Sequence, residues 1–467
     1  MPHSDFSPLL KNKLTAIFGT HNVLFDIADR FVYGYDNSRR QALPQAVVFV
    51  TSTEQALALI QLCNEQHIPL IPRGRGTGTT GATVPDHGGI VASFERMQRI
   101  LEINPEDRLV VVEPGVINKE LQQALAKHNF FWPPDPSSMA ACTIGGNLAY
   151  NAAGPRAVKY GTPRDNTLGL TAITGGGQEI RCGVRTSKGV VGYDLTRLLI
   201  GSEGTLALIT QATLRLTPLP QARRTMRVLY RDIHSAATAV AAIMAQPIIP
   251  CAVEFMDKTA VHLANEQANL QLNPQAGAML LIEVDGPVAC IEQSASAVAA
   301  VANVTGMLEC TIASNAAEIK QLWQARKALS PALRKLAPKK INEDVVVPVS
   351  QLPIFIEKLE SLGQTHNINI VNFGHAGNGN IHVNLLVNPD NAQEMAQAAL
   401  CLSAMFDLVL ALGGTLSGEH GVGLEKREFV AREITPPTLA IMHAIKRQFD
   451  PNGILNPGKA LPALTLG

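Results

Sequence analysis

His375 and His382 stand seven residues apart in HAGNGNIH, and Glu419-His420 lies between glycines in SGEHGVG. Two imidazoles, a carboxylate and a further imidazole are the parts of a site that binds a divalent ion and removes a proton. A second pattern lies far upstream. RGRGTGTTG, from Arg73 to Gly81, alternates glycines with threonine hydroxyls. Backbone N–H groups without side chains in the way can close around a phosphate. A phosphate-bearing cofactor beside a proton-removing site points to redox chemistry.

Elements of ordinary kinds must position these groups. Residues 46–72 read as strand, helix, strand: VVFV, a helix opened by Ser52 with Gln55 as a capping box, then IPLIP ending at Arg73. RLVVVEPG reads as a strand and 117–128 as a helix, while TLGLTAIT and QEIRCG flank a GGG turn as a hairpin. TLALITQATLRLT alternates as a strand, and PLPQARR at 218–224 has linker character. The pattern then restarts. TMRVLY, CAVEFM, AMLLIEV and MLECTI are strand candidates, with alanine-rich helices near 234–246 and 288–302. The order β-α-β-β-α-β is that of a ferredoxin-like layer. Helices near 314–328, 353–364, 391–412 and 436–449 complete the chain.

At 467 residues the chain is expected to form two or three domains. It is 46% apolar and 17% charged, as a compact enzyme is, and Lys+Arg and Asp+Glu balance at 39 each. That balance gives no reason to expect a nucleic-acid partner. The seven cysteines are scattered without a CxxC pair, which argues against a disulfide framework, a structural zinc site or an iron–sulfur cluster. Asp5, Lys11 and Lys13 interrupt any signal-peptide pattern, and no run of eighteen apolar residues predicts a transmembrane segment. The expectation is a cytoplasmic protein, with peripheral attachment to the inner membrane left open.

Gly76-Thr-Gly78-Thr-Thr-Gly81 formally matches GxGxxG, but a dinucleotide loop must open a helix. Here ATVPDHGG follows, and the chain turns instead. A Walker loop is excluded because no Gly-Lys-Ser/Thr follows. PPDPSSMAACTIGGNLAYNAAG (133–154), almost uncharged and rich in small residues, suits either a buried connector or a loop against a planar cofactor.

RGRGTGTTG, TIGGN…NAAG, KYG (159–161) and GYDLTRLLIGSEGTLALIT (192–210) together resemble the FAD domain of the vanillyl-alcohol oxidase/p-cresol methylhydroxylase flavoproteins. HAGNGNIH, GEHGVG and NPGK (456–459) resemble the C-terminal half of the D-2-hydroxy-acid dehydrogenase branch: D-lactate dehydrogenases, the glycolate oxidase catalytic subunit and D-2-hydroxyglutarate dehydrogenase. The resemblance implies an α+β fold, with a two-subdomain PCMH-type FAD-binding domain over 1–218 (core 40–218). A ferredoxin-like antiparallel-sheet cap over 219–425 would carry the metal site, and a segment over 426–467 would return to the FAD domain. It implies non-covalent FAD, since no histidine stands in 73–81. Gly74, Arg75, Gly76, Thr77 and Gly78 would hold the pyrophosphate. Thr143, Gly146, Asn147, Ala153, Gly154 and Gly161 would line the flavin, with Ile209 near the adenine and Asn456 returning from the C-terminus.

IHVNLLV alternates, so His382 and Asn384 share one face of a strand, with His375 expected from the turn before it. The resemblance implies His375, His382 and Glu419 as metal ligands and His420 as catalytic base. That donor set suits Zn²⁺, with Mn²⁺ or Fe²⁺ as alternatives. In an extended segment Glu419 and His420 would point opposite ways. Relatives commonly carry Asp where Asn378 stands. Within the basic stretch LWQARKALSPALRKLAPKK the resemblance places a carboxylate-binding arginine at Arg326, with Ser330 one turn later and Asn384 also on the substrate side. A substrate lysine of the 2-hydroxyglutarate enzyme falls near Asn342, with Lys340 two residues away.

The expected reaction oxidises a D-2-hydroxy acid to the 2-keto acid with metal assistance, hydride passing to flavin N5. D-Lactate is the first choice, glycolate the second and D-2-hydroxyglutarate the third. Electrons would leave to a quinone, a cytochrome or an electron-transfer flavoprotein, and partner subunits or a homodimer fit equally. Two other classes remain: a zinc hydrolase, which has no use for the glycine-rich half, and a non-catalytic flavin-binding subunit.

Overall fold

The computed structural model describes residues 5–463, which divide into two compact units. The first holds 5–153, 161–219 and 419–463, and the second 154–160 and 220–418. The expected division after 218 therefore falls within a residue of the linker. The expected cap boundary at 425 does not hold, because 419–425 groups with the first unit. The reason is local: Val422 and Gly423 donate their N–H groups to Glu203, and Leu424 donates to Thr80.

In the first unit, β1 (Ala46–Phe49), α1 (Thr53–Gln66) and β2 (Leu70–Arg73) follow the expected order. β1 and β2 are parallel but not adjacent. Between them lies β3 (Ile90–Ser93), parallel to both and absent from the sequence reading. Its IVAS run is buried on both faces, so no alternation betrays it. Ser52 Oγ accepts the Gln55 N–H at 3.3 Å, while the Gln55 side chain reaches back to the Thr51 N–H at 3.0 Å. The capping box is thus reciprocal but displaced by one residue. Val48, Leu59, Ile60, Leu70 and Ile90 pack beneath α1 with Leu455, and Leu455 bridges to Leu70, so the C-terminal segment does return to this sheet.

A second sheet of this unit is antiparallel throughout. It contains β4 (Ile100–Asn104), β5 (Leu109–Val112), β6 (Thr167–Thr174), β7 (Glu179–Gly183) and β8 (Ala207–Arg215), in the order β4-β5-β8-β6-β7. The predicted β6–β7 hairpin is present. Short helix α2 (Ile144–Tyr150) packs Ile144 and Leu148 into the core of this sheet, with Thr143 accepting the Gly146 N–H as its cap.

The second unit is one seven-stranded antiparallel sheet. Its strands are β9 (Ala222–Tyr230), β10 (Ala252–Asp257), β11 (Ala278–Gly286), β12 (Met307–Ile312), β13 (Lys339–Val346), β14 (Asn369–His375) and β15 (Asn380–Val387). Their order is β12-β9-β11-β10-β14-β15-β13. β9 to β12, with α3 (Ile233–Ala245) and α5 (Ile291–Ala302) packed together, form the expected ferredoxin-like layer. α4 (Lys258–Ala268) occupies the β10–β11 connection and packs on α6 (Ala316–Ala332) across the opposite face. β13 to β15, with α7 (Leu352–His366) and α8 (Ala392–Ala411), extend the sheet by three strands, of which sequence reading anticipated only β15, from IHVNLLV. Lys339 and Lys340, the end of the basic stretch, open β13. The β-branched residues of KKINEDVV favour a strand after Pro338.

α8 is long and apolar enough, by length and composition, to cross a membrane, an exception to the reading that no segment is. Here it packs against α7 and β15, with Cys401, Met405, Phe406 and Val409 buried.

Candidate active site

The glycine-rich loop leaves β2 and runs against α2 so closely that side chains would not fit. A Cβ on Gly74 would stand 2.3 Å from Thr143 Oγ1, and one on Gly78 would stand 2.6 Å from the Tyr150 hydroxyl. A cleft opens beside this contact, lined by Arg73, Gly74, Thr143, Gly145, Gly146, Tyr150, Ser202, Glu203 and Ile209 among others. Four expected cofactor residues, Gly74, Thr143, Gly146 and Ile209, therefore line one cavity. Asn456 sits at its edge, donating to the carbonyls of Ala82 and Glu203 at 2.9 and 2.8 Å. Asn147 is buried and donates to Ala152 O at 3.0 Å, and so shapes α2 rather than facing the cleft. Arg75, Gly76, Thr77, Gly78, Ala153 and Gly161 are absent from the lining, and Gly154 groups with the second unit. Arg75 instead lies 3.8 Å from Glu95. The Tyr150 hydroxyl has no hydrogen-bond partner although fully buried. A glycine cradle and an unpartnered hydroxyl beside a cleft fit a dinucleotide cofactor.

The segment carrying Glu419 and His420 is bent rather than extended. Gly421 and Gly423 have φ +83° and +51°, and a Cβ on Gly421 would meet Glu203 Oε1 and the Tyr150 ring, each at 2.7 Å. Glu203 accepts the N–H groups of Val422 and Gly423 at 2.6 and 2.8 Å, and Thr80 Oγ1 donates to His420 O at 3.3 Å. Burial pushes the Glu203 carboxyl up to about 7 despite those donors. Glu419 accepts the Ala153 N–H at 3.2 Å. Glu203 was not singled out from sequence, although a glutamate between glycines in GSEG was the available signal.

In the second unit, strand register gathers the other residues on one face. Glu254 of β10 pairs with His375 of β14, Phe373 with His382 of β15, and His382 with Asp344 of β13. Asn384 opposes Asn342 and Val371. Directly opposed residues share a face, so Glu254, His375, His382, Asp344, Asn384 and Asn342 all project the same way. His375 is the last residue of β14, not part of the following turn. The two imidazoles meet edge-on, with centroids 5.1 Å apart and planes at 85°. Asp344 Oδ1 is 3.7 Å from His382 Nδ1, and its other oxygen accepts the Gly418 N–H at 2.9 Å.

α6 lays Arg326 over this face. Its Nη2 is 2.7 Å from Glu254 Oε2, and its guanidinium carbon is 4.8 Å from the Phe373 ring centre. Glu254 Oε1 is 2.6 Å from His375 Nδ1. Burial alone would push the Glu254 carboxyl up, but His375 and Arg326 outweigh it and hold it below its ordinary value. Ser330 is exposed and accepts from Lys340 Nζ at 2.5 Å. Asn384 is fully buried: its amide donates to Val371 O and His382 O at 3.0 and 3.1 Å, while its Oδ1 has no partner. Glu254 and Asp344 were missed from sequence, yet a carboxylate inside CAVEFM or INEDVVV is costly unless paired.

Imidazoles beside buried carboxylates form an N/O donor set of the kind Zn²⁺ takes. Together, a glycine-cradled cleft and an acid-and-imidazole face define an α+β flavoprotein of the PCMH type. p-Cresol methylhydroxylase with substrate bound has this fold, at TM-score 0.82 over 99% of both chains and 19% identity. Residues 44–183 match the model described as FAD binding domain, and residues 219–460 the one described as FAD linked oxidases, C-terminal domain. The chain is 38% identical to the glycolate oxidase subunit GlcD of Bacillus subtilis, over 96% of each chain. It is 35% identical to the D-lactate dehydrogenase of Anaerostipes hadrus, over 90% of each. The chain belongs to the FAD-linked oxidase family. It is an FAD-linked oxidoreductase acting on CH–OH donors.

Proposed function

We propose that this enzyme oxidises D-lactate to pyruvate with the help of a divalent ion, Zn²⁺ first, and passes the electrons to a quinone, cytochrome or electron-transfer flavoprotein. The observation that carries the metal reading is the pair of imidazoles, 5.1 Å apart on a sheet face also lined by Asp344 and Glu254. His375 and His382 would hold the ion. Glu419 is the proposed third ligand, one peptide beyond Gly418, whose N–H is fixed by the strand neighbour of His382. When bound, the ion supplies Lewis-acid polarisation of the 2-hydroxyl, and FAD supplies the hydride acceptor, N5.

The chain's own groups do the rest. Arg326 binds the substrate carboxylate, and Asn384 lies on the same sheet face as His382. His420 takes the hydroxyl proton, a step for which a neutral imidazole is suited. Phe373, beside both Arg326 and His382, offers a wall for the methyl group of lactate that glycolate lacks. Such a methyl discriminates by about 10- to 200-fold. The GlcD relative makes glycolate the nearest competitor, with D-2-hydroxyglutarate third.

Purified yellow protein, mixed anaerobically with a panel of 2-hydroxy acids, should bleach fastest with D-lactate. Faster bleaching by glycolate would move the substrate assignment, and no bleaching by any member would discard the reaction.

A further inference from the structure

We propose that Glu254 is a positioning residue for two functional groups at once: it fixes the tautomer of His375 and the pose of Arg326. The inference rests on His375 as a metal ligand and Arg326 as the carboxylate anchor.

Glu254 is 1% exposed, at the centre of the sheet, with β11 on one side of its strand and β14 on the other. A charge in that position is retained only with close partners. It has two, divided between its oxygens: Oε1 lies 2.6 Å from His375 Nδ1, and Oε2 lies 2.7 Å from Arg326 Nη2. With Nδ1–H donating to the carboxylate, the lone pair of a neutral imidazole is on Nε2, which is how carboxylates set metal-binding histidines. Arg326 is fixed at two points, by Glu254 and by the Phe373 ring, while its Nε is buried without a hydrogen-bond partner. A donor left unpaired in a buried site is satisfied by an incoming acceptor such as a carboxylate.

An amide cannot replace this carboxylate. Glutamine has one acceptor and one NH₂ donor: with its oxygen on Arg326 its NH₂ is satisfied only by an unprotonated Nδ1, which moves the His375 proton to Nε2, and with its oxygen on His375 it faces Arg326 with like polarity.

The test uses FAD-loaded protein stripped of metal. In the wild-type enzyme, ¹⁵N shifts of histidine-labelled protein, with His375 assigned by its loss in His375→Asn, should show a ring protonated on Nδ1. A neutral ring protonated on Nε2 alone would overturn the proposal, and this limb needs no Glu254 variant to fold. In Glu254→Gln, zinc titration by calorimetry should show affinity weakened by about 10- to 100-fold. KM for the hydroxy acid should rise with flavin content unchanged, and that rise should vanish in an Arg326→Met background. Wild-type zinc affinity and KM in Glu254→Gln would overturn the proposal. Failure of the wild-type protein to bind zinc would instead sink the metal reading, leaving the tautomer and KM results to judge Glu254.

Discussion

Gly74→Ala places a methyl group where the structure has no room for one. The new Cβ falls 2.3 Å from Thr143 Oγ1, the hydroxyl that caps α2. Gly74 does not adopt a left-handed conformation, so the effect comes from contact rather than from backbone strain. Thr143 can hold its place and push the glycine loop outward, or rotate and give up the cap. Overpacking by one methyl costs about 1–3 kcal/mol, and a lost threonine cap about 0.5–2 kcal/mol. Whichever route is taken, the expected destabilisation is about 1–3 kcal/mol by guanidinium denaturation. Gly74, Thr143 and Gly146 all line the cleft, so the same displacement should strip flavin from the protein during gel filtration. Thr143→Ala provides the control. It removes the offending oxygen and leaves a Cβ at 3.5 Å, an ordinary contact, at a cost of about 1 kcal/mol. The double variant should then be no less stable than Thr143→Ala by more than about 0.5 kcal/mol. A Gly74→Ala protein as stable and as yellow as the wild type, or strictly additive losses, would refute the reasoning.

Glu203, pushed up to about 7 from 4.5, binds its proton more tightly in the folded than in the unfolded state. Stability should therefore fall as pH rises between those values, by about 3 kcal/mol in all, and level off on either side. Glu203→Gln should flatten that slope in denaturation curves taken across the window, and an unchanged slope would assign the titration elsewhere. His420→Ala should cut kcat by about 10²- to 10⁴-fold with KM little changed; undiminished turnover would remove it as the base. Chelation should abolish turnover while the flavin spectrum persists, and full activity in metal-free protein would take the ion out of the scheme.

Much of the site was legible because its residues break local rules. Glycines at 74, 76 and 78 and histidines on an otherwise apolar strand are costly unless something uses them. The period of two in IHVNLLV put His382 and Asn384 on one face before any strand partner was known. The ferredoxin-like order of β9 to β12 was readable for the same reason. β3 and β13 were not: the first is apolar on both faces, and the second begins with two lysines after a helix rich in basic residues.

The sequence by itself determined the chemistry available: which donors exist, and that the two imidazoles come from neighbouring positions in the chain. The tertiary structure decided their company. Glu254 lies 121 residues from His375 and Glu203 lies 219 from Val422, yet each pair is hydrogen-bonded. Periodicity specifies the face on which a side chain projects, but antiparallel register between distant strands selects its neighbour. That choice is made by the packing of the whole sheet, so a buried carboxylate in CAVEFM shows from sequence only that it needs a partner, and the fold alone supplies two.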